Sequence, residues 1–175
     1  AVTFAAGLAT AGLKPFFVVY STFLQRGFDQ IIHDCAIGNF PVKFLIDRAG
    51  IVGEDGETHQ GVFDVSYLSA IPNISIYSPS TYSELEYRIK ESANNDKIVA
   101  IRYPRGTEDY SLDFDKTKDY SIIGNGNKKA IITYGRLFSE ASKAYEKSNK
   151  ITIIKLNKIY PINPLLLNDI SDFEE

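Results

Sequence analysis

The sequence predicts an α/β fold, a mostly parallel sheet flanked by helices, followed by the start of a second α/β domain. Short apolar runs alternate with stretches of helical spacing, the pattern of parallel strands joined by crossover helices. Runs such as Val42–Ile46 are mostly apolar, as strands buried on both faces are. From Glu108 to Asp119 the chain turns polar, acidic and poor in core residues, which marks a link between two units, placed at 111–127.

Taken in order, Ala1–Ala11 reads as a helix and Pro15–Tyr20 as a strand. A helix follows from Phe23 to about Ile37, with Leu24, Phe28, Ile31 and Cys35 along one face. Pro41 punctuates, and Val42–Ile46 is the next strand. After a glycine-rich loop come a short helix (63–70), a strand (74–77) and a helix over 81–93. Ser80 or Thr81 can cap that helix, and Glu84 stands at capping-box distance from Thr81. Ile98–Arg102 is a strand that runs into Tyr103-Pro104-Arg105-Gly106. These elements make one domain over 1–110, joined by a linker over 111–127 that ends in the turn cluster Gly124-Asn125-Gly126-Asn127. The remainder, 128–175, reads as strand (130–134), helix (138–147) and strand (151–156). It is too short to bury a full core alone and is expected to open a longer domain.

Composition narrows the function. With 175 residues, 44% of them hydrophobic and 23% charged, the chain is ordinary globular material. A net charge of −3 speaks against a nucleic-acid binder, and no apolar run is long enough to cross a bilayer. The single cysteine, Cys35, has no disulfide partner and sits on an apolar stripe, so a buried thiol in a reducing compartment is expected. The chain lacks methionine, opens inside a helical pattern and closes without a stop signal. It therefore reads as a piece of a longer polypeptide.

The chemistry concentrates in Asp47-Arg48-Ala49-Gly50-Ile51-Val52-Gly53-Glu54-Asp55-Gly56-Glu57-Thr58-His59-Gln60-Gly61. Ligands gather at the carboxyl ends of parallel strands, and glycines let a backbone press close to them. On composition alone the loop reads equally as a solvated turn, so its neighbours decide. Tyr20-Ser21-Thr22-Phe23-Leu24-Gln25-Arg26 follows another strand end and spaces Tyr20, Phe23 and Arg26 so that they can present two aromatic faces and a cation near one edge, although the aromatics taken alone read as core. The strand ends after Tyr20, Ile46 and Ile101 should then converge on one edge. His33, off its helix's apolar stripe, is expected to be exposed or locally bonded, without a chemical role.

With Thr58-His59-Gln60-Gly61 and Arg102-Tyr103-Pro104-Arg105-Gly106, these motifs resemble the 1-deoxy-D-xylulose-5-phosphate synthases, thiamine-diphosphate enzymes of the transketolase superfamily. The resemblance is strong from Ala1 to about Gly106 and weaker beyond, which implies a transketolase-like pyrimidine-binding domain and part of the family's C-terminal domain. It implies that Phe23 packs on the aminopyrimidine ring, with Tyr20 and Arg26 building the pocket. Arg48 and Arg105 correspond to the arginines that hold the phosphate of glyceraldehyde 3-phosphate, a task suited to the guanidinium fork. Arg105 is preferred to Arg102, which ends a strand and could point into the sheet. His59 and Asp55 match catalytic positions facing the substrate. The implied reaction joins pyruvate to glyceraldehyde 3-phosphate with loss of carbon dioxide, in a cytoplasmic or plastid homodimer that touches neither nucleic acid nor membrane. Transketolase itself shares part of the loop and is the nearest rival, with a non-catalytic interaction module as the alternative of another class.

Two departures bound the expectation. The family's activating glutamate falls just before Ala1. Gly53-Glu54-Asp55-Gly56 with Asn94-Asn95 mimics the superfamily's diphosphate and Mg2+ motif, but the asparagines lie too far downstream and end a helix. No metal ligand is therefore assigned, Mg2+ and the diphosphate are expected outside this chain, and the chain alone is expected to be inactive.

Overall fold

The computed structural model describes every residue except 109–111, 125–127, 149, 172 and 175. Parts of the expected linker, its Asn125-Gly126-Asn127 turn among them, lie outside the described residues. The chain opens with α1 (Val2–Thr10) and β1 (Phe16–Tyr20). A helical stretch follows: α2 (Ser21–Leu24), a 3-10 turn (Gln25–Gly27), α3 (Phe28–Gln30) and a π-helical turn (Ile31–Ala36). Next come β2 (Lys43–Asp47), α4 (Asp64–Leu68), β3 (Ile74–Tyr77), α5 (Tyr82–Ala93) and β4 (Ile98–Arg102). The remainder holds β5 (Tyr120–Ile123), β6 (Ala130–Tyr134), α6 (Leu137–Lys147), β7 (Thr152–Leu156), β8 (Lys158–Tyr160) and α7 (Pro164–Ile170).

Two sheets organise these elements, one of five strands in the order β1-β2-β4-β3-β8 and one of three in the order β5-β7-β6. In the larger sheet β1, β2, β4 and β3 run parallel, as expected, and β8 adds antiparallel to β3. In the smaller sheet β6 is parallel to β7, and β5 is antiparallel to it. β4 is buried along its whole length, which explains why Ile98-Val99-Ala100-Ile101 shows no polar alternation. One apolar core runs from Val2 and Ala5 of α1 through Phe44, Ile46 and Ile76 to Ile154 and Leu166. Among the described residues, no helix is long and apolar enough to cross a membrane.

The helix expected over Phe23–Ile37 begins at Ser21 and changes pitch three times. Its apolar stripe survives: Leu24, Ile31 and Cys35 are buried and Phe28 packs on the core. A side chain at Gly27 would sit 3.0 Å from Val2 Cγ2, so α1 approaches this stretch closely. Cys35 is a buried thiol, as expected, and burial pushes its pKa up to about 11. Three elements escape the sequence pattern. β5 falls inside the stretch expected to link the units, and β8 and α7 follow the last expected strand.

The cap of α5 does more than start a helix. Thr81 accepts from the Glu84 amide at 3.0 Å, and the Glu84 carboxylate reaches back to the Ser80 amide at 2.9 Å. The same carboxylate accepts from Lys155 Nζ of β7 at 2.8 Å, with both side chains fully buried. An ion pair there leaves neither charge unpaired in the interior and fastens α5 to the smaller sheet.

Candidate active site

β1, β2 and β4 lie in register, with Tyr20 level with Asp47 and Ile46 level with Arg102. Their carboxyl ends share one edge of the sheet, and the expected residues gather there. Tyr20 stacks on Phe23 with ring centroids 5.6 Å apart and planes 15° from parallel. His59 meets both rings edge-on, at 5.1 Å from Phe23 and 6.1 Å from Tyr20. The guanidinium of Arg48 sits 4.0 Å from the Tyr20 ring and that of Arg26 6.0 Å from the Phe23 ring, both cation–π contacts. Phe23 and Arg48 thus stand on the same edge, with Tyr20 between them.

The loop between β2 and α4 is shaped by its own polar groups. Arg48 holds a left-handed backbone, with φ of 56°, rare for a side chain of this size. Asp47 Oδ1 accepts from the Arg48 amide at 2.7 Å, and the Ala49 amide donates to the Tyr103 carbonyl at 3.0 Å. Gly50 and Gly61 exchange backbone hydrogen bonds of 2.7 and 2.8 Å and close the loop. A side chain at Gly61 would fall 2.1 Å from the Arg48 carbonyl and 2.7 Å from Ser21 Cβ, so only glycine fits. Inside, Gln60 accepts from the Val52 amide at 2.7 Å and donates to the Val52 carbonyl at 2.8 Å. Thr58 Oγ1 lies 2.9 Å from His59 Nδ1, and Thr22 donates to the Thr58 carbonyl at 3.4 Å, tying the histidine to α2.

Asp55 joins the two expected phosphate arginines. Its Oδ2 accepts from Arg48 Nε at 2.9 Å, and its Oδ1 accepts from Arg105. Arg48 also pairs with Asp47 at 2.6 Å, and Arg105 with Glu54 at 3.1 Å. The hydrogen bond that Arg48 donates to Asp55, more than the charge of Asp47, holds its guanidinium above its ordinary pKa. Despite these partners the Arg105 side chain stays 41% exposed. Arg102 is different: it makes a two-toothed pair with Asp64, Nε to Oδ2 at 2.7 Å and Nη2 to Oδ1 at 3.2 Å. Of the two arginines weighed at this strand end, Arg105 faces solvent and Arg102 turns inward.

His33 is 76% exposed at its side chain and pairs with neighbouring Asp34, as expected. Asn94 and Asn95 lie at the far end of α5, where Asn95 accepts from Lys43 at the opposite end of β2. They cannot complete a metal site with Gly53–Gly56. Among the described residues, no group of three or more His, Cys, Asp or Glu side chains could hold a metal ion. The edge does suit a flat heterocycle, because Phe23 keeps 40% of its surface open beside Tyr20 and Arg26.

Sequence reasoning missed Asp64 and Gln60. Asp64 is the first residue of a short helix, a place where acids are usually solvated, and nothing local signals that Arg102 will bury it.

Residues 1–108 match the family model "Transketolase, pyrimidine binding domain". The chain belongs to the transketolase pyrimidine-binding family. Curated relatives named 1-deoxy-D-xylulose-5-phosphate synthase include that of Clostridium tetani, 48% identical over 100% of this chain. Those of Caldanaerobacter subterraneus and Clostridium beijerinckii are 48% and 49% identical over 98% and 97% of it. The resemblance read from the motifs thus holds along the whole chain. This chain spans 29% of the length of each of these relatives. Among solved structures, a split-gene transketolase described as an inactive β4 tetramer superposes with a TM-score of 0.80 at 24% identity, covering 96% of this chain and 57% of its own. A Pichia stipitis transketolase superposes with a TM-score of 0.74 at 18% identity, over 89% of this chain and 25% of its own. At these identities the structures establish the fold.

Proposed function

We propose that this chain supplies the pyrimidine-binding side of the active site of a 1-deoxy-D-xylulose-5-phosphate synthase. The enzyme would join pyruvate to glyceraldehyde 3-phosphate with loss of carbon dioxide. The observation that carries the reading is an aromatic stack and two arginines sharing one carboxylate, all on a single sheet edge. Thiamine diphosphate, when bound, supplies the carbanion and the electron sink. Its diphosphate and Mg2+ would be held by residues outside this chain.

Phe23 would lie against the aminopyrimidine ring, backed by Tyr20 and bordered by Arg26. Arg48 and Arg105 would receive the phosphate of the aldehyde, each offering a planar fork of donors to its oxygens. Asp55, bonded to both guanidinium groups, sets their spacing. That is the role assigned to it here, since both its oxygens are already occupied. His59, steadied by Thr58 at Nδ1, is the imidazole placed to exchange a proton with the reacting oxygen. In the same reading residues 1–110 are the pyrimidine-binding domain, 111–127 the connection, and 128–175 the opening of the C-terminal domain. The match over 1–108 supports the first boundary. A homodimer follows the family resemblance, and a cytoplasmic setting is supported by bacterial relatives.

The test incubates the full-length protein with pyruvate, glyceraldehyde 3-phosphate, thiamine diphosphate and Mg2+. Release of carbon dioxide with formation of 1-deoxy-D-xylulose 5-phosphate is expected. Silence with pyruvate but turnover of a ketose phosphate donor would make it a transketolase instead.

A further inference from the structure

We propose that the buried Asp64–Arg102 pair is a positioning device that sets the two phosphate-reading loops against each other. The proposal rests on the phosphate reading above and adds two residues that act on the acceptor without touching it.

The placement of the pair carries the argument. Arg102 ends β4 and leads through Tyr103 and Pro104 to Arg105. Asp64 begins α4, shortly after Gly61 closes the loop that presents Arg48 and Asp55. The pair therefore fastens the root of one arginine loop to the exit of the other. Its geometry is directional: two parallel contacts of 2.7 and 3.2 Å fix the plane of the guanidinium as well as its distance. A third contact, from Arg102 Nη1 to Ser78 Oγ at 3.3 Å, anchors the same group to the end of β3. Asp64 is fully buried at its side chain and Arg102 is 9% exposed, with Nε and Nη2 engaged by Asp64 and Nη1 by Ser78, so the pair is built to hold the loops more than to bind a phosphate.

A buried ion pair is a weak source of stability compared with apolar groups of the same size, whereas one lone buried charge is costly. Replacing both members together can therefore preserve the fold and still remove the directional link. Stability and positioning become separable.

The experiment uses the full-length enzyme with the D64L/R102M double variant, and R102K beside it as the conservative change. Amide exchange in 48–61 and 103–107 is measured together with KM for pyruvate, for glyceraldehyde 3-phosphate and for unphosphorylated glyceraldehyde. The double variant is expected to fold, to exchange faster in both loops, and to raise KM for the phosphorylated aldehyde by about 10- to 100-fold, the scale of an ångström-level misplacement. KM for pyruvate and for the unphosphorylated aldehyde should stay within about twofold, a change small on the kcal/mol scale. Lysine at 102 keeps the charge but not the fork, so R102K should reproduce most of the loss. Unchanged exchange in either loop, or equal losses for both aldehydes, would overturn the proposal. If the unaltered enzyme does not distinguish the two aldehydes, the phosphate reading fails instead, and the exchange result alone decides whether the pair couples the loops.

Discussion

The two ends of β2 hold cations in opposite ways. At the amino end Lys43 is fully buried and donates to neutral oxygens, the Asn95 carbonyl at 3.0 Å, Asn95 Oδ1 at 3.1 Å and the Lys97 carbonyl. Burial, helped by the nearby charge of Lys14, pushes its ammonium down to about 8. At the carboxyl end Arg48 and Arg105 are matched by Asp47, Asp55 and Glu54, yet both keep surface open to solvent. The first arrangement closes the end of a sheet. The second leaves charge where an incoming anion can reach it, as the proposed phosphate-binding role requires.

The carboxyl end of β2 is disturbed most severely by Gly61→Ala. The new methyl would collide with the Arg48 carbonyl and Ser21, so the loop must move away from α2 and take Arg48 with it. Turnover of the full-length enzyme should fall by about 100-fold or more with the helix signal retained, since ångström-scale shifts at a reacting site cost that much. Near-normal activity would show that close packing at Gly61 does not shape the site.

Lys43→Met sharpens the other end. The folded pKa of Lys43, about 8, lies below its ordinary value of 10.5, so between the two the unfolded chain binds a proton the folded chain has lost. The folded state therefore gains stability from Lys43 as pH rises through that window, and loses that gain as pH falls back through about 8. Urea midpoints from pH 7.5 to 10.5 should rise more in the unaltered protein than in Lys43→Met. Parallel curves would mean that Lys43 is not held as described.

The smallest effect is expected at His33, in contrast to His59. His33→Ala should change stability by less than about 0.5 kcal/mol and leave turnover intact, as exposed surface changes do. His59→Ala should depress turnover strongly. Equal effects in an assay of both variants would remove the contrast.

The strands and their shared edge were legible because buried parallel strands are apolar runs and their turns carry glycine. Tyr20, Phe23, Arg48, His59 and Arg105 were legible as one group because each follows a strand end or sits in the glycine loop. What stayed hidden depends on contacts across the fold. β5 is a short, half-buried strand whose partner, β7, lies far along the chain. Lys155 breaks an apolar strand with a charge that makes sense only once Glu84 stands opposite. Asp64 looks like an ordinary acid at a helix start until Arg102 is placed against it. Sequence spacing names the candidates for a site; the distances decide which arginine faces out.

The most direct test compares Arg48→Ala with the unaltered full-length enzyme on glyceraldehyde 3-phosphate and on glyceraldehyde, with pyruvate as donor throughout. Losing charged hydrogen bonds to phosphate should raise KM for the phosphorylated aldehyde by about 10- to 100-fold, the equivalent of about 1.4–2.7 kcal/mol, and erase the preference for it. KM for pyruvate should hardly move. Equal losses for pyruvate and both aldehydes would contradict the assignment of this sheet edge as a phosphate-reading site.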